Sequence, residues 1–439
     1  MTKIKLSSTQ IILGSFLTTV LIGTVLLFLP ISSNSGKPTD LLTCLFTATS
    51  SLCVTGLVVV DTATHWSFFG QFVILVLIQI GGLGVVVVVT IISMFLGQKI
   101  SLSQRSVIQE ALATQHVGGT IKLVKFIINL VFIFEIEGEF LLFFHFKKDF
   151  DILTSIWYSI FHSVSAFCNA GFDLMGVKAP FSSFTSYQSS ILLNVTIMFL
   201  IVFGGIGFTV WEDMFKKRFN FSKYRLQSKL VILTTFFLIV IPAAYFYFFE
   251  YHMLSGANRI LPSLFQSITT RTAGFNTTNF GDMSEVGKAI SIILMIVGGS
   301  PGSTAGGMKT TTFAIIMIST ISVFKRYNEP HIFNRRIGIQ LIKNAMTIFM
   351  MYVNLFLLFG FIICKIEGMA LTDTLFETAS AIGTVGLSFG ITTELSNISR
   401  VLIIILMFLG RIGGLTFIYA IIPTLNTESG YISENVAVG

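Results

Sequence analysis

Four short turns that contain glycine hold the residues whose types and spacing indicate a functional site. Each follows a run that begins with Phe and continues with small or hydroxyl-bearing residues. The turns are Val54-Thr55-Gly56, Asn169-Ala170-Gly171, Thr272-Ala273-Gly274 and Thr384-Val385-Gly386. Glycine adopts positive φ without steric cost, and backbone carbonyls that point inward can replace the hydration shell of a cation. The turns therefore predict a cation site made of main-chain oxygens.

The fourth turn gives the sharpest sequence match. Thr384-Val385-Gly386 reproduces the first three residues of the TVGYG selectivity filter of potassium channels, whereas the other three turns are degenerate. One such tripeptide would be weak support, but four in matching surroundings indicate a filter assembled from four unequal parts. The alternative is that these glycines serve only the close packing of membrane helices.

The amino-acid composition indicates whether these turns belong to a soluble protein or to a membrane protein. Charged residues make up 11% of the 439 residues and hydrophobic residues 53%, whereas a soluble domain carries roughly 25% charged residues. The mean hydropathy is +0.84. The chain is therefore expected to be an integral membrane protein, and a disordered chain, a disulfide scaffold or a nucleic-acid binder is excluded. The four Cys show no CxxC spacing, which argues against a zinc or redox centre.

Hydrophobic runs predict eight membrane-spanning helices, since a span needs about 20 apolar residues. The predicted spans are 11–29, 72–96, 121–144, 190–211, 230–249, 289–321, 345–364 and 401–422. Four shorter segments precede the turns, at 41–51, 152–166, 260–270 and 371–382. They are too short to cross and suit re-entrant helices that line a water-filled cavity. About two thirds of the 28 Lys and Arg lie between alternate spans, which predicts cytoplasmic N- and C-termini.

These elements recur in one order: a first span (M1), a pore helix, a glycine turn that forms the filter, and a second span (M2). The predicted fold is an all-α integral membrane protein with four parallel M1–pore helix–filter–M2 repeats and pseudo-fourfold symmetry around one pore. Because each unit begins and ends inside, the repeats are parallel, unlike inverted-repeat transporters. The predicted repeats are 1–98, 99–218, 219–328 and 329–439.

Small and polar residues interrupt the M2 span of the third repeat. They are Gly298, Gly299, Ser300, Pro301, Gly302, Ser303, Thr304, Ala305, Gly306, Gly307, Met308 and Lys309. Such backbone cannot face lipid, so it is expected to line the pathway below the filter. A kinked packing helix is the alternative. A phosphate-binding loop is disfavoured because Lys309 stands out of register with that motif and no strand precedes it.

Charged residues inside spans mark further candidate positions. Arg411 lies within the last span, where it would act as an electrostatic barrier to a cation or as a structural arginine that bonds helix ends. Glu135, Glu137 and Glu139 would tune cation entry or, as we favour, simply reach the membrane interface. Glu377 on the fourth pore helix would set the charge of the outer vestibule.

The same residues resemble a known family, the Trk/Ktr/HKT superfamily of potassium transporters. Besides the turns, the resemblance rests on Gln79-Ile80-Gly81-Gly82-Leu83-Gly84, Thr270-Arg271-Thr272-Ala273-Gly274-Phe275-Asn276 and Met407-Phe408-Leu409-Gly410-Arg411-Ile412-Gly413. It covers essentially the whole chain. Since one predicted span precedes Gly56, the sequence is most similar to Ktr membrane subunits of the KtrB or KtrD type.

The resemblance implies potassium uptake across a bacterial plasma membrane through a channel-like subunit, with Na⁺ as an activator. It implies that residues 298–309 act as an intramembrane gate. It also implies a homodimer and a cytoplasmic octameric-ring regulatory subunit of the KtrA/KtrC (RCK/KTN) type. Nucleotides would bind that partner, so this chain is expected to carry no cofactor beyond the transported K⁺ and to have membrane lipid, not nucleic acid, around it.

Two other functions compete with this interpretation. An intramembrane hydrolase could use Ser300 or Ser303 as nucleophile, or Asp282 in the Gly281-Asp282 pair, but no base or second carboxylate stands at a matching position. An alternating-access transporter for another solute would predict two inverted halves instead of four parallel quarters. The chain is therefore not expected to be an enzyme.

Overall fold

Helices make up nearly all the regular structure of the protein, as the apolar runs predict. The structure, a computed structural model, describes residues 7–112, 118–218 and 220–414. The first part of the chain forms α1 (Ser8–Phe28), α2 (Leu41–Leu52), α3 (Thr62–His65), α4 (Phe68–Leu83) and α5 (Val85–Phe95). The second forms α6 (Leu102–Ala111), α7 (Thr120–Phe146), α8 (Ile152–Phe167), α9 (Ile191–Ile206) and α10 (Phe208–Lys217).

From residue 226 onward the chain forms further helices, a π-helical turn and a short hairpin. These helices are α11 (Leu226–Tyr245), α12 (Ala257–Thr269), α13 (Glu285–Ile296), α14 (Thr310–Phe324), α15 (Ile339–Glu367), α16 (Leu371–Gly383) and α17 (Asn397–Ile412). A π-helical turn, Phe246–Glu250, extends α11. A two-stranded antiparallel hairpin, β1 (His331–Ile332) and β2 (Arg335–Arg336), connects α14 to α15.

The four re-entrant segments predicted from sequence are the helices α2, α8, α12 and α16, here called the pore helices. Side-chain caps fix where two of them begin: Asp40 accepts a hydrogen bond from the Thr43 N–H at 3.2 Å, and Asp151 accepts one from the Leu153 N–H at 3.1 Å. A carboxylate at this end complements the helix dipole. Each pore helix also buries a Phe almost completely at the matching position, and these are Phe46, Phe161, Phe265 and Phe376.

Two predicted spans are broken, which the sequence did not indicate. The segment predicted as 72–96 divides into α4 and α5, which meet at 97°, and the segment predicted as 190–211 divides into α9 and α10, which meet at 93°. Gly84 with φ +88° and Gly207 with φ +101° stand at the two breaks. A residue with positive φ cannot continue a right-handed helix, so the chain turns there although the residue next to each glycine, Val85 or Phe208, is apolar.

Length and composition single out three described helical segments that could each cross a membrane alone: Ser8–Phe28, Leu226–Glu250 and Ile339–Glu367. Counting each bent pair as one span raises the number to five. Within the last predicted span, α17 ends at Ile412, before Gly413 with φ +87°. Residues 415–422 of that span lie outside the described residues.

Candidate functional site

The four glycine turns have one backbone conformation. The first residue of each turn has positive φ, at 56° for Val54, 60° for Asn169, 66° for Thr272 and 50° for Thr384. Each turn glycine also has positive φ, between 70° and 92°, and the middle residue does not. Positive φ is uncommon for residues other than glycine, so four such residues at matching positions indicate a shared constraint. Alternation in the sign of φ turns successive carbonyls toward the same side of the chain.

The turns contact one another in a closed cycle. A Cβ added to any turn glycine would collide with the middle carbonyl oxygen of the next turn. The four pairs are Gly56 with Ala170, Gly171 with Ala273, Gly274 with Val385, and Gly386 with Thr55. The order runs first to second to third to fourth and back to the first. Only glycine fits at these positions, and twelve filter residues predicted from sequence therefore lie together around one centre.

Hydrogen bonds from the pore helices hold each turn. The N–H of the middle residue donates to the carbonyl of a pore-helix Ser or Thr, at 2.8 Å for Thr55, 2.7 Å for Ala170, 3.0 Å for Ala273 and 2.8 Å for Val385. The hydroxyls of the same Ser and Thr bond the turns as well. These residues are Ser50, which accepts from Gly56 N–H, Ser165 and Thr269, which donate to the Phe172 and Phe275 carbonyls, and Ser380, which accepts from Gly386 N–H.

A pocket of about 170 Å³, called the outer pocket after the orientation predicted from sequence, opens at the turns, and all four turn glycines line it. Two acidic residues that the sequence analysis missed, Asp61 and Asp173, also line it. Burial raises the pKa of Asp173 to about 7, and the nearby Asp61 carboxylate adds to the rise. The Asp61 side chain also accepts the Phe181 N–H at 2.9 Å, which joins two outer loops. Asp173 follows its turn glycine by two residues and Asp61 by five, so acidic residues shortly after a turn would have been the signal for both.

The glycine-rich segment of residues 298–309 lies next to the ring of turns. It is neither a strand–loop–helix motif nor a kinked helix, since it separates α13 from α14 as an irregular loop. A Cβ on Gly306 would collide with the Thr384 side chain, and one on Gly307 would meet the Gly383 carbonyl. The Thr304 hydroxyl donates to the Phe167 carbonyl at 3.0 Å. The loop therefore packs against the fourth turn and against the ends of two pore helices.

Neighbouring helix ends bind the same loop from several sides. The Ser300 N–H donates to the Gly205 carbonyl at 3.0 Å, and the Thr304 N–H to the Gly204 carbonyl at 3.2 Å. The Gly307 N–H donates to the Gly410 carbonyl at 3.2 Å. These carbonyls belong to the last turns of α9 and α17, where an α-helix leaves carbonyls without intrahelical partners. The breaks at the helix ends thus provide the acceptors that hold the loop.

Arg411 is half-buried and bonds main-chain oxygens. Its guanidinium donates to the carbonyls of Thr304 in the loop and of Gly81 and Gly82 at the end of α4. The Lys309 ammonium donates to the Ala305 carbonyl at 2.8 Å. Both cations line an inner cavity of about 380 Å³. Two cationic side chains at the wall of this cavity therefore bond main-chain carbonyl oxygens.

The three glutamates of α7 differ in how far they are buried. Glu137 is exposed and Glu139 partly so, but Glu135 is 4% exposed and accepts a hydrogen bond from the Gln79 amide at 3.2 Å. Our interpretation that all three simply reach the interface is wrong for Glu135, because its face of α7 packs against α4 and α8. Periodicity separates Glu135 from Glu137 but does not say which face is buried.

Within the described part of the chain, the residues proposed for hydrolysis hydrogen-bond to no His, Asp or Glu side chain. The Ser300 hydroxyl lies 3.0 Å from the Thr310 hydroxyl, and the Ser303 hydroxyl donates to the Ser300 carbonyl at 2.7 Å. Asp282 ends a short 3-10 turn, Phe280–Asp282, on the outer side. The described residues also contain no group of three or more His, Cys, Asp or Glu that could hold a metal ion.

Comparison with known proteins agrees with this geometry. A family model described as TrkH, a cation transport protein, matches residues 6–429. The potassium/sodium uptake protein NtpJ of Enterococcus hirae is 36% identical over 447 residues, which cover 99% of this chain and 98% of that protein. Ktr system potassium uptake protein B of Bacillus subtilis is 37% identical over 442 residues, with 99% and 98% covered.

A solved structure supports the fold. The potassium transporter TrkH from Vibrio parahaemolyticus superimposes with a TM-score of 0.74 at 18% identity, covering 93% of this chain and 84% of the other. The resemblance seen in the sequence is thereby confirmed: the apolar helices belong to a multi-pass membrane protein and not to an enzyme, and the chain belongs to the TrkH family of cation transport proteins.

Proposed function

We propose that this protein is the potassium-translocating, channel-like membrane subunit of a Ktr-type uptake system. The observation that carries the proposal is the closed cycle of four glycine turns around one centre. It supports four M1–pore helix–filter–M2 repeats with pseudo-fourfold symmetry, spanning the membrane eight times with both termini in the cytoplasm. The repeats would be 1–98, 99–218, 219–328 and 329–439, in a bacterial plasma membrane.

Selective passage would begin at the outer pocket, where Asp61 and Asp173 raise the local concentration of cations. A K⁺ ion would then lose water to the carbonyl oxygens of the four turns. The pore helices end at the turns, and the partial negative charge of a helix C-terminus lowers the energy of a cation there. No fixed anion is needed in the ring, so the ion is not trapped.

Residues 298–309 would be the gate and Arg411 would hold it shut. The loop would block the inner side of the turns, and Arg411 ties it to α4 through the Thr304, Gly81 and Gly82 carbonyls. Opening would require the loop to exchange its bonds with α9 and α17 for bonds with water. A loop held mostly by hydrogen bonds to helix ends can make that exchange, whereas a continuous packed helix cannot do so easily.

Partners follow from the relatives and not from this chain's own contacts. Ktr system proteins of Bacillus subtilis and Vibrio alginolyticus share 32–37% identity with it. By that similarity the protein would work as a homodimer on a cytoplasmic octameric ring of RCK/KTN-type subunits that bind nucleotides. Na⁺ would stimulate uptake. This chain would carry no cofactor other than the transported ion.

Uptake of ⁸⁶Rb⁺ into liposomes that contain the purified protein tests the proposal. Wild-type protein should take up Rb⁺, and excess K⁺ should compete better than excess Na⁺. Gly386→Ser should reduce this preference, because a side chain there collides with Thr55. Gly338→Ser is the matched control, since Gly338 has open space around it and no positive φ. Rb⁺ uptake that K⁺ and Na⁺ suppress equally in wild-type protein would contradict the proposal.

A further inference from the structure

One position of the pore helices is polar and buried in all four repeats. It directly follows the buried Phe, and its residues are Thr47, His162, Gln266 and Glu377, each at most 2% exposed. Each lies three residues before the Ser or Thr that bonds the turn, so both side chains lie on one side of the helix. A buried polar side chain needs a hydrogen-bonding partner. The partners differ among the repeats.

In the fourth repeat the partner lies in the segment that leaves the turn. The Thr392 hydroxyl donates to Oε1 of Glu377, and Thr392 Oγ1 lies 3.0 Å from the Ser388 hydroxyl. The Gly390 N–H donates to that Ser388 hydroxyl at 2.9 Å. Ser388 and Thr392 line the outer pocket together with Gly386. A buried carboxyl group thus anchors the chain just beyond the last carbonyl of the turn.

In the second repeat His162 makes the corresponding connection. Its Nε2 accepts a hydrogen bond from the Leu174 N–H at 3.0 Å, and its Nδ1 lies 2.7 Å from the Tyr158 carbonyl. Nδ1 therefore carries the proton and the ring is neutral. Among the described residues, Thr47 and Gln266 make no side-chain hydrogen bond to the segments after their turns, and Gln266 Nε2 has no partner.

The cycle of turn contacts places the second and fourth turns opposite each other. We propose that Glu377 is a positioning residue which, with His162 across the axis, holds one opposite pair of turns while the other pair lacks this support. The inference rests on the proposed filter and names residues that set its selectivity. A ring held on two opposite sides resists contraction around a cation smaller than K⁺. Losing one support should let Na⁺ compete better.

Three variants and two controls test this role. Thr392→Val removes the donor with little change of shape, and Glu377→Leu removes the acceptor, whereas Glu377→Gln keeps an acceptor oxygen. Thr393→Val and Glu394→Gln are the controls, because they alter neighbouring side chains of the same segment that are not bonded to Glu377. The measurement is the ratio of Na⁺ to K⁺ concentrations that halve ⁸⁶Rb⁺ uptake into liposomes.

We expect Thr392→Val and Glu377→Leu to lower that ratio by about tenfold, the scale of one hydrogen bond to a buried carboxyl group. Glu377→Gln and both controls should stay near the wild-type ratio. If Glu377→Leu fails to fold, Thr392→Val decides alone. If Thr392→Val has the same ratio as the wild-type protein, the positioning role is overturned and the proposed filter is unaffected. If the wild-type protein itself shows no preference for K⁺ over Na⁺, the proposed function is overturned.

Discussion

Replacing Arg411 by alanine should open a leak for potassium. The guanidinium occupies carbonyl oxygens of Thr304, Gly81 and Gly82, which an arriving ion would otherwise use. An ion about 5 Å from this charge is repelled by ~3 kcal/mol at an effective dielectric constant of about 20. At about 1.4 kcal/mol per factor of ten, that is roughly a hundredfold in rate. The carbonyl dipoles offset part of the charge, so we expect a tenfold to hundredfold rise, as an order of magnitude.

Uptake of ⁸⁶Rb⁺ by purified protein in liposomes, without any regulatory subunit and normalised to the reconstituted amount, measures this leak. Arg411→Lys separates charge from shape, because lysine keeps the charge but cannot bond two carbonyl groups with a planar fork. Arg400→Ala is the control, since Arg400 lies on the same helix but bonds the outer Thr393 carbonyl. If the folded alanine variant leaks no more than Arg400→Ala, Arg411 is structural and the barrier lies elsewhere.

Three further predictions concern residues 298–309, the outer pocket and the buried Asp213. Deleting residues 301–305 should raise basal Rb⁺ uptake without regulatory subunits, and a deletion variant that folds yet remains closed would count against the gate. Since the pKa of Asp173 is about 7, its carboxyl group becomes neutral as the pH falls from 8 to 6. Rb⁺ uptake at limiting K⁺ should therefore fall over that range, and Asp173→Asn should make uptake less dependent on pH. Asp213 is fully buried and bonds Lys217 and Ser228. Asp213→Asn should therefore lower the free energy of unfolding by about 3 kcal/mol, whereas Glu329→Gln, in an exposed ion pair, should change it by less than about 1 kcal/mol. Equal unfolding temperatures for the two variants would refute this.

Local sequence accounts for much of the candidate site. The four pore helices could be predicted because each combines an apolar run too short to span with a following glycine turn. The irregular loop at residues 298–309 was recognisable because so many small residues cannot form a packed helix. Both signals depend on residues close together in the chain, and the structure places the predicted turns and loop side by side.

The contacts between these parts required the tertiary structure. The breaks at Gly84 and Gly207 were missed because the residues on both sides stay apolar, and a helix-interior glycine alone costs only about 1 kcal/mol. Arg411 stands out in the sequence as a charge within a span, but its acceptors at Thr304 and Gly81 are distant in the chain. Composition and local spacing determined that this is a membrane protein with four filter-like turns, because solvent preference and backbone freedom belong to short segments. Only the tertiary structure decided which carbonyl groups bond Arg411, and that Glu135 lies on the buried face of α7. Both contacts depend on helices that are far apart in the sequence and close together in the fold.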